Sequence, residues 1–404
     1  MRGRDPRQQH RASTPLELLF DLTFVLAYGS AANQLAQFLA AGHLGAGIGG
    51  FLLAIFAISW AWINFSWFAS AYDTDDWQFR LTTMVQMVGV LILGLGLPAM
   101  FESLGHGAID NRAMVLGYVI MRVPMIAQWW RAAHQDPERR RNSEIRIASI
   151  VLSQLGWCLL LFVRSSPGLT CALAAIPVVV ELGAPIVAER TSETPWHPHH
   201  IAERYSLVVI IALGEGLVGT MATLAAVVGP AGPGWSLDAA LVGLAGTAMT
   251  FGMWWIYFVL PSGAMLAAHR DRVLGWGYGH MVLFAAVVGV GAGLHVAAFT
   301  IAHQGVLSVP ATLLCTAIPL ALYVVSLFAL YRALTRSSSR ADKWMLLGTG
   351  VTLATAIVLA CVGVSLTYTL CVLALAPWVT VVSYELVGHQ HNAKVIREAA
   401  RDGT

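Results

Sequence analysis

The chain has 404 residues, of which 57% are hydrophobic and only 11% charged, and its net charge is +2. A soluble protein carries roughly 25% charged residues, because its surface needs polar cover. The composition therefore excludes a single soluble domain and predicts an integral membrane protein. The five cysteines lie in apolar runs without paired spacing, so we expect them to be reduced packing residues.

Apolar runs that can cross the membrane recur along the whole chain. A helix needs about 20 residues to cross roughly 30 Å of hydrocarbon. We therefore predict an all-α polytopic membrane protein with about 12 transmembrane helices. The predicted spans are 15–40, 47–71, 79–101, 112–133, 145–164, 168–189, 200–228, 237–261, 273–301, 309–334, 342–363 and 365–388.

The basic residues give this set of spans an orientation. With the N-terminus inside, only Arg112 and Arg164 fall on the outer side and Arg122 lies mid-span, which leaves 21 of the 24 Lys and Arg residues inside. Cytoplasmic loops are enriched in Lys and Arg. The pattern thus predicts a multi-pass protein of the cell inner membrane with both termini in the cytoplasm.

An internal repeat is visible at an offset of about 200 residues. The run Cys171–Pro177 recurs as Cys371–Pro377, and Trp62–Phe65 is echoed by Trp255–Phe258. Because each half holds an even number of spans, the pattern predicts two parallel six-helix repeats. The predicted divisions are a basic N-terminus 1–14, repeats 15–189 and 200–388, a linker 190–199 and a cytoplasmic tail 389–404.

The first helix opens with Thr14, Pro15 and Glu17, the residue types of a capping box. Capping therefore competes with a functional role for Glu17. Asp21 lies one turn further along the same face, well inside the span. An ionisable residue there is costly and is a candidate functional group.

The seventh helix carries Glu203 and Arg204 near its start and Glu215 in mid-span. Arg204 and Glu215 share a face but lie about 16 Å apart, too far to pair. We expect Arg122, midway through the fourth helix, to be the counter-charge of Glu215 or Asp21. A purely structural ion pair is the alternative.

Further polar and aromatic residues lie in the spans. Trp62 and Trp255 are deep enough to line an aromatic cavity, and His280 leaves a proton-relay role open. The residues expected to contact a substrate are Glu17, Tyr28, Trp62, Asn64, Glu203, Arg204, Trp255 and His280.

An acidic loop, Tyr72–Arg80, interrupts the basic trend of the cytoplasmic face. Its residues suit an N-cap for the third helix with Arg80 as partner. They also suit a cation or Mg²⁺–phosphate site formed by Asp73, Asp75 and Asp76.

Three motifs, PLELLFDLTFVLAY, AYDTDDWQFR and HHIAERYSLVVIIALGE, resemble the bacterial low temperature requirement A (LtrA) family. The resemblance spans nearly the whole chain and implies a multi-helix bacterial membrane protein. It emphasises polar positions that include Glu17, Asp21, Glu203, Arg204 and Glu215. It implies no substrate.

The leading hypothesis is a transporter or channel-like protein for a small molecule or ion, with proton coupling left open. In it Asp21 and Glu215 carry a proton or cation, and Arg122 and Arg204 are their charge partners. The rival is an intramembrane enzyme acting on a lipid or isoprenoid, with Asp21 as general acid or Mg²⁺ held by the acidic loop. A scaffold or sensor without chemistry is a third alternative. Mg²⁺ is the cofactor that the enzyme alternative requires. The expected partners are the lipid bilayer and a small-molecule, ion or lipid substrate, with no nucleic acid.

Overall fold

The computed structural model describes residues 3–5, 8, 11–107, 109–163, 167–229, 234–336 and 340–388. The predicted tail 389–404 and part of the predicted segment 1–14 lie outside the described residues. Over the described ranges the regular structure is entirely helical. The α-helices are α1 Pro15–Ala40, α2 Leu44–Tyr72, α3 Trp77–Gly105, α4 Arg112–Gln135, α5 Arg140–Leu160, α6 Pro167–Thr191, α7 Pro198–Val228, α8 Leu237–Phe258, α9 Ser262–Ala268, α10 Val273–Ile301, α11 Val309–Thr335, α12 Arg340–Cys361 and α13 Leu366–Ser383.

Among the described residues, 12 helical segments are long and apolar enough to cross a membrane. The predicted all-α polytopic fold and its number of spans are therefore confirmed. The main difference lies after α8, where the predicted loop forms the short helix α9 and the 3₁₀ turn Arg270–Arg272. A π-helical turn, Tyr384–Gly388, follows α13.

Large apolar side chains cover the outer faces of these helices. Leu22, Leu95, Phe162 and Ile318 are exposed in the isolated chain. Water would penalise such a surface at about 25 cal/mol per Å², whereas lipid does not. The exposed faces thus agree with the membrane assignment.

Side-chain caps fix where some helices begin. Asp76 has an extended backbone and accepts a hydrogen bond from the Phe79 N–H (2.9 Å), so it is the N-cap of α3. Ser236 accepts one from the Ala239 N–H (3.3 Å) at the start of α8. Each cap satisfies a backbone donor that has no partner within the helix.

The contacts divide the chain into two compact units. The first comprises Met1–Ala31 and Leu53–Arg204, and the second comprises Ala32–Leu52 and Tyr205–Thr404. The parallel repeat, with halves 15–189 and 200–388, stays a prediction.

The first unit combines a close helix crossing with an aromatic core. A Cβ placed on Gly117 of α4 would lie 2.5 Å from the Gly89 carbonyl oxygen of α3, so the two backbones touch there. Beside them, Phe68 packs edge-on against Trp129, with ring centroids 4.8 Å apart. Small residues that allow such approach are typical of helix contacts in membranes.

The second unit is organised around α10, which is buried along most of its length. Gly293 of α10 packs against the backbone of Cys315 in α11. Gly252 of α8 packs against Pro377 of α13. Tyr323 of α11 donates a hydrogen bond to the Met253 carbonyl (2.6 Å), which ties α11 to α8.

Candidate functional site

The first turn of α1 positions the charged side chains of the site. The Thr14 N–H donates to Glu17 Oε2 (2.8 Å), and the Glu17 N–H donates to Thr14 Oγ1 (3.3 Å). This reciprocal pair is the predicted capping box, which is confirmed. It fixes the direction in which α1 starts and places Asp21 one turn beyond Glu17.

Glu17 also faces a histidine and an arginine on the first turns of α7. His200 Nε2 lies 3.1 Å from Glu17 Oε1, and Arg204 Nη1 lies 3.8 Å from the same oxygen. His200 and Arg204 are four residues apart and therefore share one helix face. All three side chains are fully buried.

Asp21 is the closer partner of Arg204. Arg204 Nη2 donates to Asp21 Oδ1 (2.6 Å), and Trp62 Nε1 of α2 donates to the same oxygen (2.7 Å). Arg204 Nη2 also donates to Ser66 Oγ (3.3 Å). Because Arg204 lies between Asp21 and Glu17, one guanidinium serves two carboxylates that are one turn apart on α1.

Several buried polar atoms of this charge cluster make no hydrogen bond with the described part of the chain. They are Glu17 Oε1, Asp21 Oδ2, Arg204 Nε and Nη1, and His200 Nδ1. A buried polar atom without a partner costs about 1–3 kcal/mol, and such atoms are rare in native proteins. The cluster therefore has free capacity for a proton, a water molecule or a polar group of a solute.

Arg11 lies beside the cluster and holds the end of α2. Its guanidinium donates to the carbonyl oxygens of Ala69 (2.6 Å) and Ser70. These carbonyls belong to the last turn of α2, where the helix supplies few donors, and the Ala69 carbonyl also accepts from the Asp73 N–H (3.1 Å). Burial, with a smaller contribution from Arg4, lowers the pKa of Arg11 to about 10, whereas Glu17 and Asp73 act in the opposite direction.

A second buried ion pair lies between α4 and α6. Arg122 Nη2 is 3.2 Å from Glu181 Oε2, and the Tyr118 hydroxyl donates to the same oxygen (2.5 Å). Trp157 Nε1 donates to Glu181 Oε1 (3.4 Å). The prediction that Arg122 is the counter-charge of Asp21 or Glu215 is wrong, because Glu181 lies at the same depth and takes that place.

Glu215 of α7 is buried, with 6% exposure. Its carboxyl group makes no hydrogen bond or ion pair with another described residue. The sequence predicted Glu215 as an acidic residue in mid-span, and we expected a cationic side chain to pair with it. Over the described ranges the structure provides none.

The other predicted substrate residues have local partners. The Tyr28 hydroxyl is 3.0 Å from Ser59 Oγ, and Asn64 Nδ2 donates to the Trp60 carbonyl (2.8 Å). The remaining contacts are Glu203 Oε1 with the Ser13 N–H (3.1 Å), Trp255 Nε1 with Glu385 Oε1 (3.0 Å), and His280 with the Tyr257 hydroxyl (3.1 Å) and the Trp276 carbonyl (2.8 Å).

The acidic loop gives each carboxylate a different partner. Asp73 Oδ1 accepts from the Asp75 N–H (2.8 Å), Asp75 pairs with Arg80 (2.8 Å), and Asp76 pairs with Arg131 (2.5 Å). Burial raises the pKa of Asp73, whereas hydrogen bonds from the arginines lower the pKa values of Asp75 and Asp76.

No group of three metal-ligating side chains occurs over the described ranges of the chain. The observed role of the loop is the capping of α3 by Asp76. The magnesium site at Asp73, Asp75 and Asp76 stays a prediction.

His200 belongs to the cluster and Arg11 lies beside it, although neither was among the predicted site residues. His200 could have been found, because it lies four residues before Arg204 and thus on the same face of α7. Arg11 gave no such signal, since its carbonyl partners belong to another helix. Trp62 was expected as an apolar wall, and its indole N–H is in addition a hydrogen-bond donor to Asp21.

Apolar spans around buried ion pairs define a polytopic integral membrane protein. Residues 12–377 match the family described as bacterial low temperature requirement A protein (LtrA). The chain belongs to this family. An uncharacterized protein of Rhizobium meliloti (strain 1021) is 27% identical over 259 residues, which cover 62% of this chain and 59% of that relative. No solved structure matches the chain.

Proposed function

We propose that this LtrA-family membrane protein is a proton-coupled transporter of a small molecule or ion. The single observation that carries the proposal is the buried pair of Asp21 and Arg204, in which Asp21 Oδ2 has no hydrogen-bond partner among the described residues. Ionisable groups inside membrane spans are costly and typically mark ion or proton pathways.

Asp21 has one oxygen engaged and one open. Oδ1 accepts hydrogen bonds from Trp62 and Arg204, so an arriving proton binds at Oδ2. Protonation neutralises Asp21 and removes most of its attraction for Arg204. Arg204 cannot lose its own proton and keeps Glu17, at 3.8 Å, as its counter-charge.

The change in pairing is large enough to drive a conformational equilibrium. Breaking a buried ion pair by neutralising one partner costs about 3–5 kcal/mol. Each 1.4 kcal/mol changes an equilibrium constant about tenfold, so one protonation shifts a two-state equilibrium by roughly two to four orders of magnitude. This range suits the alternation of a transporter between two states.

The placement in the membrane is part of the proposal. We place the protein in the bacterial inner membrane with both termini in the cytoplasm, because this orientation leaves 21 of the 24 Lys and Arg residues on the inner side. The three exceptions are Arg112 and Arg164 on the outer side and Arg122 in mid-span. The substrate is a small molecule or ion that reaches the charge cluster from water.

Reconstitution into liposomes tests the proposal. The full chain is incorporated with a pH-sensitive dye in the lumen, and proton movement is recorded while a panel of ions, amino acids, sugars and organic cations is added outside. We expect at least one solute to move protons through the wild-type protein. Asp21→Asn keeps the Oδ1 acceptor but cannot carry a proton, and we expect it to lose the coupled proton movement.

The matched control is Asp75→Asn, which changes an exposed aspartate whose partner is Arg80. We expect this variant to retain wild-type coupling. If no solute in the panel moves protons through the wild type, the proposal fails. It also fails if Asp21→Asn transports with an unchanged dependence on the pH gradient.

A further inference from the structure

Helices α7 and α10 cross in close contact beside two titratable side chains. A Cβ placed on Gly291 of α10 would lie 2.7 Å from Glu215 Cβ, and one placed on Gly219 of α7 would lie 3.1 Å from His295 Cδ2. Each glycine is four residues from the titratable residue of its own helix. The two helices therefore present Glu215 and His295 to one another, about one turn or 6 Å apart along the axis.

Glu215 faces α10 from inside the protein. Its side chain is 94% buried, because 6% of the residue is exposed, and it has no hydrogen bond or ion pair to a described residue. An isolated buried carboxylate is far more costly than a neutral carboxyl group. Glu215 is therefore a candidate to bind a proton.

His295 offers an acceptor at the same crossing. Its Nε2 atom is buried and makes no hydrogen bond with the described part of the chain. A neutral imidazole has one nitrogen that accepts a proton and becomes imidazolium when it does so. His295 and Glu215 thus form a potential acid–base couple.

The neighbouring elements bring no charged partner to this level among the described residues. α8 presents Thr250, whose hydroxyl donates to the Gly246 carbonyl (3.0 Å). α11 presents Cys315 and Thr316 to the next glycine of α10. The other histidine of α10, His280, is already hydrogen-bonded at both ring nitrogens.

We propose that Glu215 and His295 form a proton-binding site at the α7–α10 crossing. In its transfer step the O–H bond of Glu215 breaks and an N–H bond forms at His295 Nε2. The products are a carboxylate and an imidazolium, so the total charge of the site is unchanged. The inference concerns proton binding rather than flux and does not rest on the proposed transport function.

Infrared difference spectroscopy on the full chain in lipid tests this site. Spectra are recorded from about pH 5 to about pH 9, the range in which histidine ordinarily titrates, and the wild type is compared with Glu215→Gln. We expect a carbonyl band of a protonated carboxyl group at neutral pH in the wild type that is absent from the variant. We expect His295→Gln to shift the pH midpoint of this band.

Controls separate the site from general effects on the fold. His43→Gln changes an exposed histidine and is expected to leave the midpoint unchanged. Thermal melting and size-exclusion chromatography check folding. If Glu215→Gln does not fold, Glu215→Asp replaces it; this variant keeps a carboxyl group and is expected to shift the band and its pH midpoint rather than to remove the band. The site is refuted if wild type and Glu215→Gln give the same neutral-pH spectrum, or if His295→Gln leaves the midpoint unchanged. Loss of the band on addition of Na⁺ at constant pH would also overturn it, in favour of a metal-cation site.

Discussion

The energetic coupling between Asp21 and Arg204 is the quantity that the structure predicts most sharply. The pair is fully buried, with a 2.6 Å hydrogen bond between Arg204 Nη2 and Asp21 Oδ1. Removing one partner of a buried pair costs about 3–5 kcal/mol, because the other charge is left uncompensated. Removing both leaves no unpaired charge from this pair, so the double variant recovers most of that cost.

The two single variants are not equivalent. After Asp21→Asn, Arg204 still has Glu17 at 3.8 Å as its counter-charge, so we expect a loss near the lower value of about 3 kcal/mol. After Arg204→Gln, Asp21 and Glu17 remain as two buried carboxylates, which keep His200 beside Glu17 and the more distant attraction of Arg11. We therefore expect a loss near about 5 kcal/mol.

A double-mutant cycle measures this coupling. The free energy of unfolding is obtained by titration with denaturing detergent for the wild type, Asp21→Asn, Arg204→Gln and the double variant. The matched control is the cycle for Asp75 and Arg80, an exposed pair at 2.8 Å, for which water screening predicts a much smaller coupling. Additive effects of the Asp21 and Arg204 substitutions would refute the reasoning, as would equal coupling in the two cycles.

Three further outcomes are expected. The Arg131 hydrogen bonds lower the pKa of Asp76, so the stability that ionised Asp76 contributes is present above about pH 4 and is lost as the pH falls towards the lowered pKa. Asp76→Asn retains a capping side chain but not the charge. Melting curves should show this variant destabilised at neutral pH and converging on the wild type in acid. Glu181→Gln leaves Arg122 buried without its carboxylate and should lower the free energy of unfolding by about 3 kcal/mol or more, and an unchanged detergent titration would contradict this. Gly117→Ala places a Cβ 2.5 Å from the facing backbone and should lower the free energy of unfolding by about 1–3 kcal/mol in the same titration. An equal or higher stability would count against the close crossing.

The spans were predictable because hydropathy and length are properties of local sequence. The capping box of Thr14 and Glu17 was predictable for the same reason, since both of its partners lie within one turn. Arg204 was correctly expected to pair with a carboxylate, and the structure identifies Asp21 as its closer partner. For the spans and the capping box the deciding interactions are local, whereas the choice of Asp21 as the partner depends on how α1 packs against α7.

The partner of Arg122 could not be predicted in this way. Sequence gives the depth of a residue in its span but not the rotation of that helix relative to its neighbours. Glu181 and Asp21 were therefore indistinguishable as partners until the packing of α4 against α6 was known. Arg11 shows the same limit, because its charge is evident in the sequence but its carbonyl acceptors on α2 are set by tertiary structure.

Glu17 has a consequence for how this sequence can change over time. The same carboxylate accepts the Thr14 N–H at the helix start and faces His200 and Arg204 in the interior. Glutamine would still accept the Thr14 N–H but carries no charge. Aspartate keeps the charge, but its side chain is shorter. Neither substitution at this position is therefore neutral unless Thr14, His200 or Arg204 changes with it. Related sequences that lack the glutamate should carry a compensating replacement at one of those positions.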